Sequence, residues 1–349
     1  MLASSVHRLG FAVKVLGEGG LPSHDTRRWR SGPHLRHSLA MVRDIIAYLD
    51  RHALRMYRMA TGLAPYASHP DLLQFHDQVR ECAEELGELG RLVRAAGIRL
   101  STHPGQYTVL NSEDPAVQAA AAAELEVQAS LLDAMGLGEE AVVVLHVGGA
   151  AGGREADFDR FRRGLERLSD PARARLVIEN DDRSFALIDV LALAERTGLR
   201  VVWDVLHHRC LDPAAIPDAE AMAAAFATWP AGTTPKVHFS SPRLDVEERV
   251  TRDGRRVTRR PVLPQLRAHA DLIDPIAFEY FIRSAADGRP FDVMLEAKAK
   301  DLALLRLRDQ LCCRGLAWSQ GQLVVPASPV DRCSRPAHQR AEVGLAGHH

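Results

Sequence analysis

From residue 6 to residue 311 the chain repeats one alternation. A short run of Val, Ile, Leu and aromatic residues is followed by a longer stretch with apolar residues at helical spacing. The pattern predicts strands at 6–15, 54–59, 98–104, 141–149, 175–182, 199–208, 235–241 and 291–298. Helices are predicted at 35–52, 72–96, 114–135, 155–168, 185–196, 218–228, 275–286 and 301–311. Continuous runs such as AVVVLHVGG at 141–149 belong to parallel strands covered by helices. Such a series fits an α/β fold of the (β/α)8 TIM-barrel type better than a doubly wound sheet, and no GxGxxG or Walker sequence follows the first strand. A chain of 349 residues can bury a core of that size, and a single barrel domain is expected over 1–313.

Two segments stand outside the repeat. Residues 242–266 separate the seventh strand from its helix, and Asp253-Gly254 between VTR and RRV signals a two-residue hairpin. Arg249, Arg252, Arg255, Arg256, Arg259 and Arg260 make this insertion strongly basic, which suits either a solvated ribbon or an arm that contacts phosphate. The tail over 314–349 lacks periodicity and is expected to be loose.

A barrel of this class builds its active site at the C-terminal ends of its strands. Those ends carry His103, His146, Glu179, Asp204 with His207, Lys236 with His238, and Glu296; His69 and His269 lie in adjoining loops. One such histidine would mean little, because a lone histidine at a strand end is more often a satisfied core residue. Many ionisable groups at one barrel mouth are costly to bury without partners, and cations are the natural partners. Imidazoles and carboxylates together suit Zn or Mn more than Mg or Ca. The donor set exceeds what one ion takes, so two or three ions are expected, an arrangement used for phosphoester chemistry. In PKVHFSS at 235–241, strand alternation sets Lys236 and His238 on one face and Val237 and Phe239 on the other. Lysine is rare here: among 44 basic residues the only lysines are Lys14, Lys236, Lys298 and Lys300. A lysine can lose its charge where an arginine cannot, so Lys236 suggests a position that needs a neutral amine.

A formal net charge of -1 argues neither for nor against nucleic acid. Five cysteines without a CxxC pair fit reduced thiols, and with no signal-peptide pattern and no membrane-length apolar run the expected location is cytoplasmic.

Long, irregular segments carry a resemblance. They are RLGFAV (8–13), YRMATGLAPYASHP (57–70), THPGQYTVLNS (102–112), LDAMGLGEEAVVVLHVGG (132–149), VIENDDRSF (177–185), WDVLHHRC (203–210), PKVHFSSPR (235–243), RAHAD (267–271) and FDVMLEAKAKDLALLRL (291–307). Over residues 7 to 311 the chain resembles the UV-damage endonuclease family, relatives of endonuclease IV among the xylose-isomerase-like barrels. The resemblance implies a metal-dependent endodeoxyribonuclease of DNA repair. Such an enzyme nicks the backbone 5′ to UV photoproducts (pyrimidine dimers and 6-4 products), leaves a 3′-hydroxyl and uses a divalent cluster, expected to be manganese. Carried over, the ligands are His103, His146, Glu179, Asp204, His207, His238, His269 and Glu296, with Glu179 bridging two ions. Catalytic roles fall to Glu179, to His69 at the cluster's edge and to Lys236, whose family counterpart can be carboxylated to N6-carboxylysine. Gln106 and Tyr107 match a probing pair that enters the duplex opposite the lesion, a fitting use of an amide and an aromatic ring. Phe11, standing where relatives often have tyrosine, and Arg255 and Arg256 of the insertion complete the expected DNA contacts. The expected partner is UV-damaged double-stranded DNA, bound by a monomer, with no membrane.

Departures from the family pattern lie at Ala60-Thr61, where serines are common, at Thr102, where a bulky apolar residue is common, and in the length of the 242–266 insertion. The alternatives are an apurinic-site endonuclease of the endonuclease IV type, a metal-dependent sugar isomerase, and a lesion-binding protein without catalysis. An isomerase has no use for a basic hairpin or a Gln-Tyr wedge, and a pure binder need not keep a metal cluster.

Overall fold

Parallel pairing of eight short strands, each beside the next in sequence and the last beside the first, closes a barrel. The strands are β1 (Leu9–Ala12), β2 (Met56–Arg58), β3 (Arg99–Thr102), β4 (Val142–His146), β5 (Leu176–Glu179), β6 (Arg200–Asp204), β7 (Lys236–Phe239) and β8 (Asp292–Leu295). This is a computed structural model, and it describes residues 4–254, 256–284 and 290–326. The helices Leu35–Arg51, Pro115–Ala134, Leu187–Thr197, Pro275–Ser284 and Lys300–Cys313 are among those that surround the barrel. Among the described residues no helix is long and apolar enough to cross a membrane.

Strand alternation divides the core. Val237 and Phe239 of β7 join the apolar layer between sheet and helices, where Phe239 packs 5.0 Å from the rings of both Phe278 and Phe281. Lys236 and His238 alternate with them and therefore turn into the barrel, where both are completely buried. The barrel interior is filled by two small clusters, Val142, Val144, Val177 and Val202 with Trp229, and Ala12, Met56 and Met294. Arg99 and Arg200 lie over the Trp229 ring at 5.7 and 5.0 Å, and Arg99 pairs with Asp292 at 2.8 Å. Arg99, Arg200 and Asp292 are the first residues of β3, β6 and β8, so this group closes the end opposite the strand C-termini.

Four sequence-based boundaries change. The first run divides: Ser5–His7 leaves the barrel and pairs antiparallel with Gln322–Val325, while Leu9–Ala12 stays in it. Gln322–Val325 also pairs with Ala317–Ser319, so the expectation of a loose tail fails over 317–325, because its alternating apolar residues cover the N-terminal strand. The rest of that expectation, 327–349, lies outside the described residues. The helix expected over 72–96 is a 3-10 turn, Leu73–Phe75, followed by Gln78–Glu81 and Ala83–Ala95, with a break at Cys82. Finally, the strand expected over 199–208 stops at Asp204. The Asp204 carboxylate accepts the His207 backbone N–H at 2.8 Å and caps a helix, Val205–Cys210.

Candidate metal centre at the barrel mouth

Glu179, the last residue of β5, is completely buried and gathers imidazoles around both its oxygens. His103 Nε2 lies 2.9 Å from Oε2 and His146 Nε2 lies 3.6 Å from it. His238 Nδ1 approaches Oε1 to 2.7 Å, and His207 Nδ1 stands 3.9 Å away. Burial alone would raise the Glu179 carboxyl, but His238, His146 and His103 hold it well below the usual carboxylate range. Glu296, just past β8, pairs with Arg58, lies 3.5 Å from His238 and 3.7 Å from His269, and is likewise held low, chiefly by Arg58 against the effect of burial.

Three sets of donor atoms come close enough together to hold an ion each. They are His103, His238 and Glu296; His103, His146 and Glu179; and Glu179, Asp204 and His207. His103 and Glu179 each belong to two sets; of the two, the carboxylate has an oxygen to offer to each of two ions, whereas an imidazole nitrogen has one lone pair and would serve one. His269 is outside these sets, but its ring lies tilted 6.0 Å from that of His207 and it faces Glu296. His69 stands apart: its Nδ1 accepts the Asp71 backbone N–H, its carbonyl accepts from His76, and among the described residues no contact ties it to the carboxylates.

Several buried polar atoms here have no hydrogen-bond partner among the described residues, notably Asp204 Oδ2, His146 Nδ1 and His238 Nε2. Orphans of this kind are costly in a finished core and are what a site for cations leaves when only protein is counted. The donors therefore fit divalent ions. Burial lowers His238 to about 4 and also lowers His146 and His269, leaving neutral imidazoles with lone pairs to offer. His207 differs: burial pulls it down, but Asp204, Glu179 and Glu296 carry it up to about 9, while burial drives the Asp204 carboxyl up to about 8.

Lys236 lies completely buried below the carboxylates and donates from Nζ to Ser101 Oγ at 2.9 Å. Burial, with Arg58 and Arg99 nearby, pushes its amine well below the ordinary lysine range. Two site residues escaped the sequence reading. Arg58 ends β2 and is the cationic partner of Glu296, yet in an arginine-rich chain nothing distinguished it. Asn180 holds β5 to β6 by donating to the Asp204 carbonyl and accepting the Asp204 N–H, and its own carbonyl lies 3.0 Å from His207 Nδ1. Its place beside Glu179 was the available signal.

The expected DNA contacts separate. Gln106 and Tyr107 form an exposed turn just after His103, with Tyr107 85% exposed. Arg256 is exposed on the hairpin, and Arg255 lies outside the described residues. Phe11 cannot touch DNA: it is completely buried on the outer face of β1, edge-on to Tyr57 at 5.4 Å. Alternation along β1 gives the barrel interior to Ala12 and leaves Phe11 to the helix layer.

A profile described as "UV-endonuclease UvdE" matches residues 35–319. The chain belongs to the UV-endonuclease family. A UV DNA damage endonuclease of Bacillus cereus (strain G9842) is 30% identical over 293 residues, covering 83% of this chain and 86% of its own. One from Bacillus velezensis (strain DSM 23117 / BGSC 10A6 / LMG 26770 / FZB42) is 34% identical over 273 residues, covering 76% and 78%. Among solved structures, that of SacUVDE superposes with a TM-score of 0.74 at 28% identity, covering 88% of this chain and 99% of that one.

Proposed function

We propose that this protein is a cytoplasmic, monomeric, metal-dependent DNA repair endonuclease that nicks double-stranded DNA 5′ to UV photoproducts and leaves a 3′-hydroxyl. The observation that carries the reading is the convergence on Glu179 of four imidazoles from four separate chain segments, in a chain of this family. His103, His146, Glu179, Asp204, His207, His238, His269 and Glu296 would hold two or three divalent ions; the mixed imidazole and carboxylate set suits zinc or manganese, and the family resemblance favours manganese. Ions so held supply Lewis acidity toward water and phosphate oxygen.

The chain's own residues do the remaining work. Asn180 and the cap made by Asp204 fix the ring of His207, and Arg58 orients Glu296. The exposed Gln106-Tyr107 turn would fill the gap left by an extruded lesion, its exposure beside His103 supporting that role, and His69 lies in a loop beyond β2. Neutral Lys236 is suited to carboxylation: its nitrogen bonds to carbon dioxide, a proton leaves, and the carbamate carries a negative charge that ions held at the mouth would favour. A high-resolution map of the active holoenzyme showing a bare ammonium at Lys236 would remove that part of the reading.

The test is one duplex made in photoproduct, undamaged and abasic forms, incubated with Mn2+ or EDTA. Nicking of the photoproduct strand on its 5′ side, lost in EDTA and restored by Mn2+, is expected. Equal nicking of the undamaged duplex refutes the reading, and nicking confined to the abasic duplex replaces it with apurinic-site cleavage.

A further inference from the structure

The hairpin after β7 is unusual in what it lacks. Among the described residues its strands, Glu247–Asp253 and Arg256–Val262, pair only with each other, and nearly all its described side chains are exposed, including Val250 at 46% and Val257 at 52%. An isolated two-stranded ribbon is marginally stable in water, so this one gains from an external surface. Its register sets Arg249 directly opposite Arg260, Thr251 opposite Thr258 and Asp253 opposite Arg256, all on one face. Like charges directly opposite each other oppose pairing. Among the described residues no carboxylate pairs with Arg249, Arg256 or Arg260, whereas Arg259 on the other face has Glu248 at 2.8 Å. Three guanidiniums without a carboxylate partner among the described residues, beside two threonine hydroxyls, form a phosphate-binding surface, because arginine and threonine both donate to phosphate oxygens.

The ribbon is also fixed to the catalytic face. At its feet Pro242 bridges to His269, Arg243 donates its N–H to the Ala268 carbonyl at 2.7 Å, and Ala270 donates to the Ser241 carbonyl at 2.9 Å. His269 is the residue facing Glu296 in the metal centre. Strands of 7 residues extend about 24 Å from that root, a span of about seven base pairs.

We propose that this hairpin is an arm that grips the phosphate backbone of duplex DNA flanking the nicked position, through the face carrying Arg249, Thr251, Arg256, Thr258 and Arg260. The proposal rests on the endonuclease reading and adds a site outside the metal centre that serves damaged and undamaged duplex alike. The test compares the parent protein, the double variant Arg249→Gln/Arg260→Gln and the opposite-face variant Arg252→Gln. Binding of a labelled undamaged duplex is followed by fluorescence anisotropy from 50 to 200 mM KCl. Each lost phosphate contact lowers the slope of log K against log salt by about 0.9, so the double variant is expected to lose about two units and to bind more than tenfold more weakly at 0.1 M salt. Arg252→Gln is expected to lose less than half a unit, and single-turnover nicking of photoproduct duplex at saturating protein is expected to match the parent. If the double variant melts early, Arg249→Lys/Arg260→Lys keeps the charge and is expected to restore the slope. An unchanged slope in the double variant, or an equal loss in Arg252→Gln, overturns the arm. A parent protein that neither binds duplex nor nicks photoproduct DNA overturns the endonuclease reading instead.

Discussion

Holding protons at the candidate metal centre and filling it with ions are competing ways to balance the same carboxylates, and the competition can be measured. In the metal-free protein His207 is carried up to about 9 and Asp204 up to about 8, both above their unfolded values of 6.5 and 3.8. The folded state therefore holds more protons than the unfolded chain between about pH 6.5 and 9. The stabilisation from protonated His207 is complete below about pH 6.5 and disappears as pH rises through about 9, and Asp204 contributes with the same sign as its buried carboxyl is forced to ionise. Metal-free stability should accordingly fall from pH 6.5 to pH 8. Ion binding needs the imidazole lone pair and the carboxylate, so it expels these protons and gains what the metal-free site loses. One proton released across 1.5 pH units strengthens apparent ion binding by about 2 kcal/mol. The expected result is a rise in Tm on adding Mn2+ that is several degrees larger at pH 8.0 than at pH 6.5. Calorimetric titration in buffers of different ionisation enthalpy should show at least one proton released per site at pH 6.5, and fewer in His207→Asn. An equal Tm gain at the two pH values, together with no proton release, would refute the linkage.

Three further outcomes follow from positions around the centre. Lys236→Arg places a permanent charge where burial demands a neutral group, so it should lower Tm and abolish nicking, whereas Lys236→Met should keep more of the Tm while still losing activity; thermal melts beside a nicking assay separate the two. Tyr107→Ala, at a position 85% exposed, should leave Tm within a degree of the parent yet reduce the ratio of nicking on photoproduct to undamaged duplex by tenfold or more. Phe11→Ala should cost about 3–5 kcal/mol in denaturant unfolding by opening the layer against Tyr57, with undamaged-duplex affinity unchanged in the folded fraction.

Strand parity made most of the centre legible in the sequence. Once β3, β4, β5, β7 and β8 are read as strands of a closed barrel, His103, His146, Glu179, His238 and Glu296 must meet, because each stands at or just beyond a C-terminal end. The same rule applied strictly would have excluded Phe11, which alternates with Ala12 and so faces the helices. What parity could not supply was local. The chain turns helical at Val205 because Asp204 caps it, so His207 reaches the centre from a helix rather than a strand. Pairing of Ser5–His7 with Gln322–Val325 joins the two ends of the described chain across more than 300 residues, beyond what any local pattern reports. Arg58 went unseen because its distinction lies in its partner, not its type.

The partner of Arg58 also explains how the centre can fold before it is filled. Three buried carboxylates, Glu179, Asp204 and Glu296, converge with no ion to offset them, an arrangement that would be several kcal/mol uphill if left bare. The chain meets this with internal cations and retained protons. Arg58 supplies one fixed charge to Glu296, His207 holds a proton beside Asp204, and His103 and His238 hydrogen-bond Glu179. Lys236, the remaining nearby cation, is suppressed by burial between Arg58 and Arg99 and adds little. The balance is therefore adjustable at His207, whose extra proton can leave, and fixed at Arg58, whose charge cannot. Glu296 should remain the carboxylate most firmly tied to protein, while Glu179 and Asp204, which flank His207 at 3.9 and 3.8 Å, are the ones free to exchange its proton for an ion.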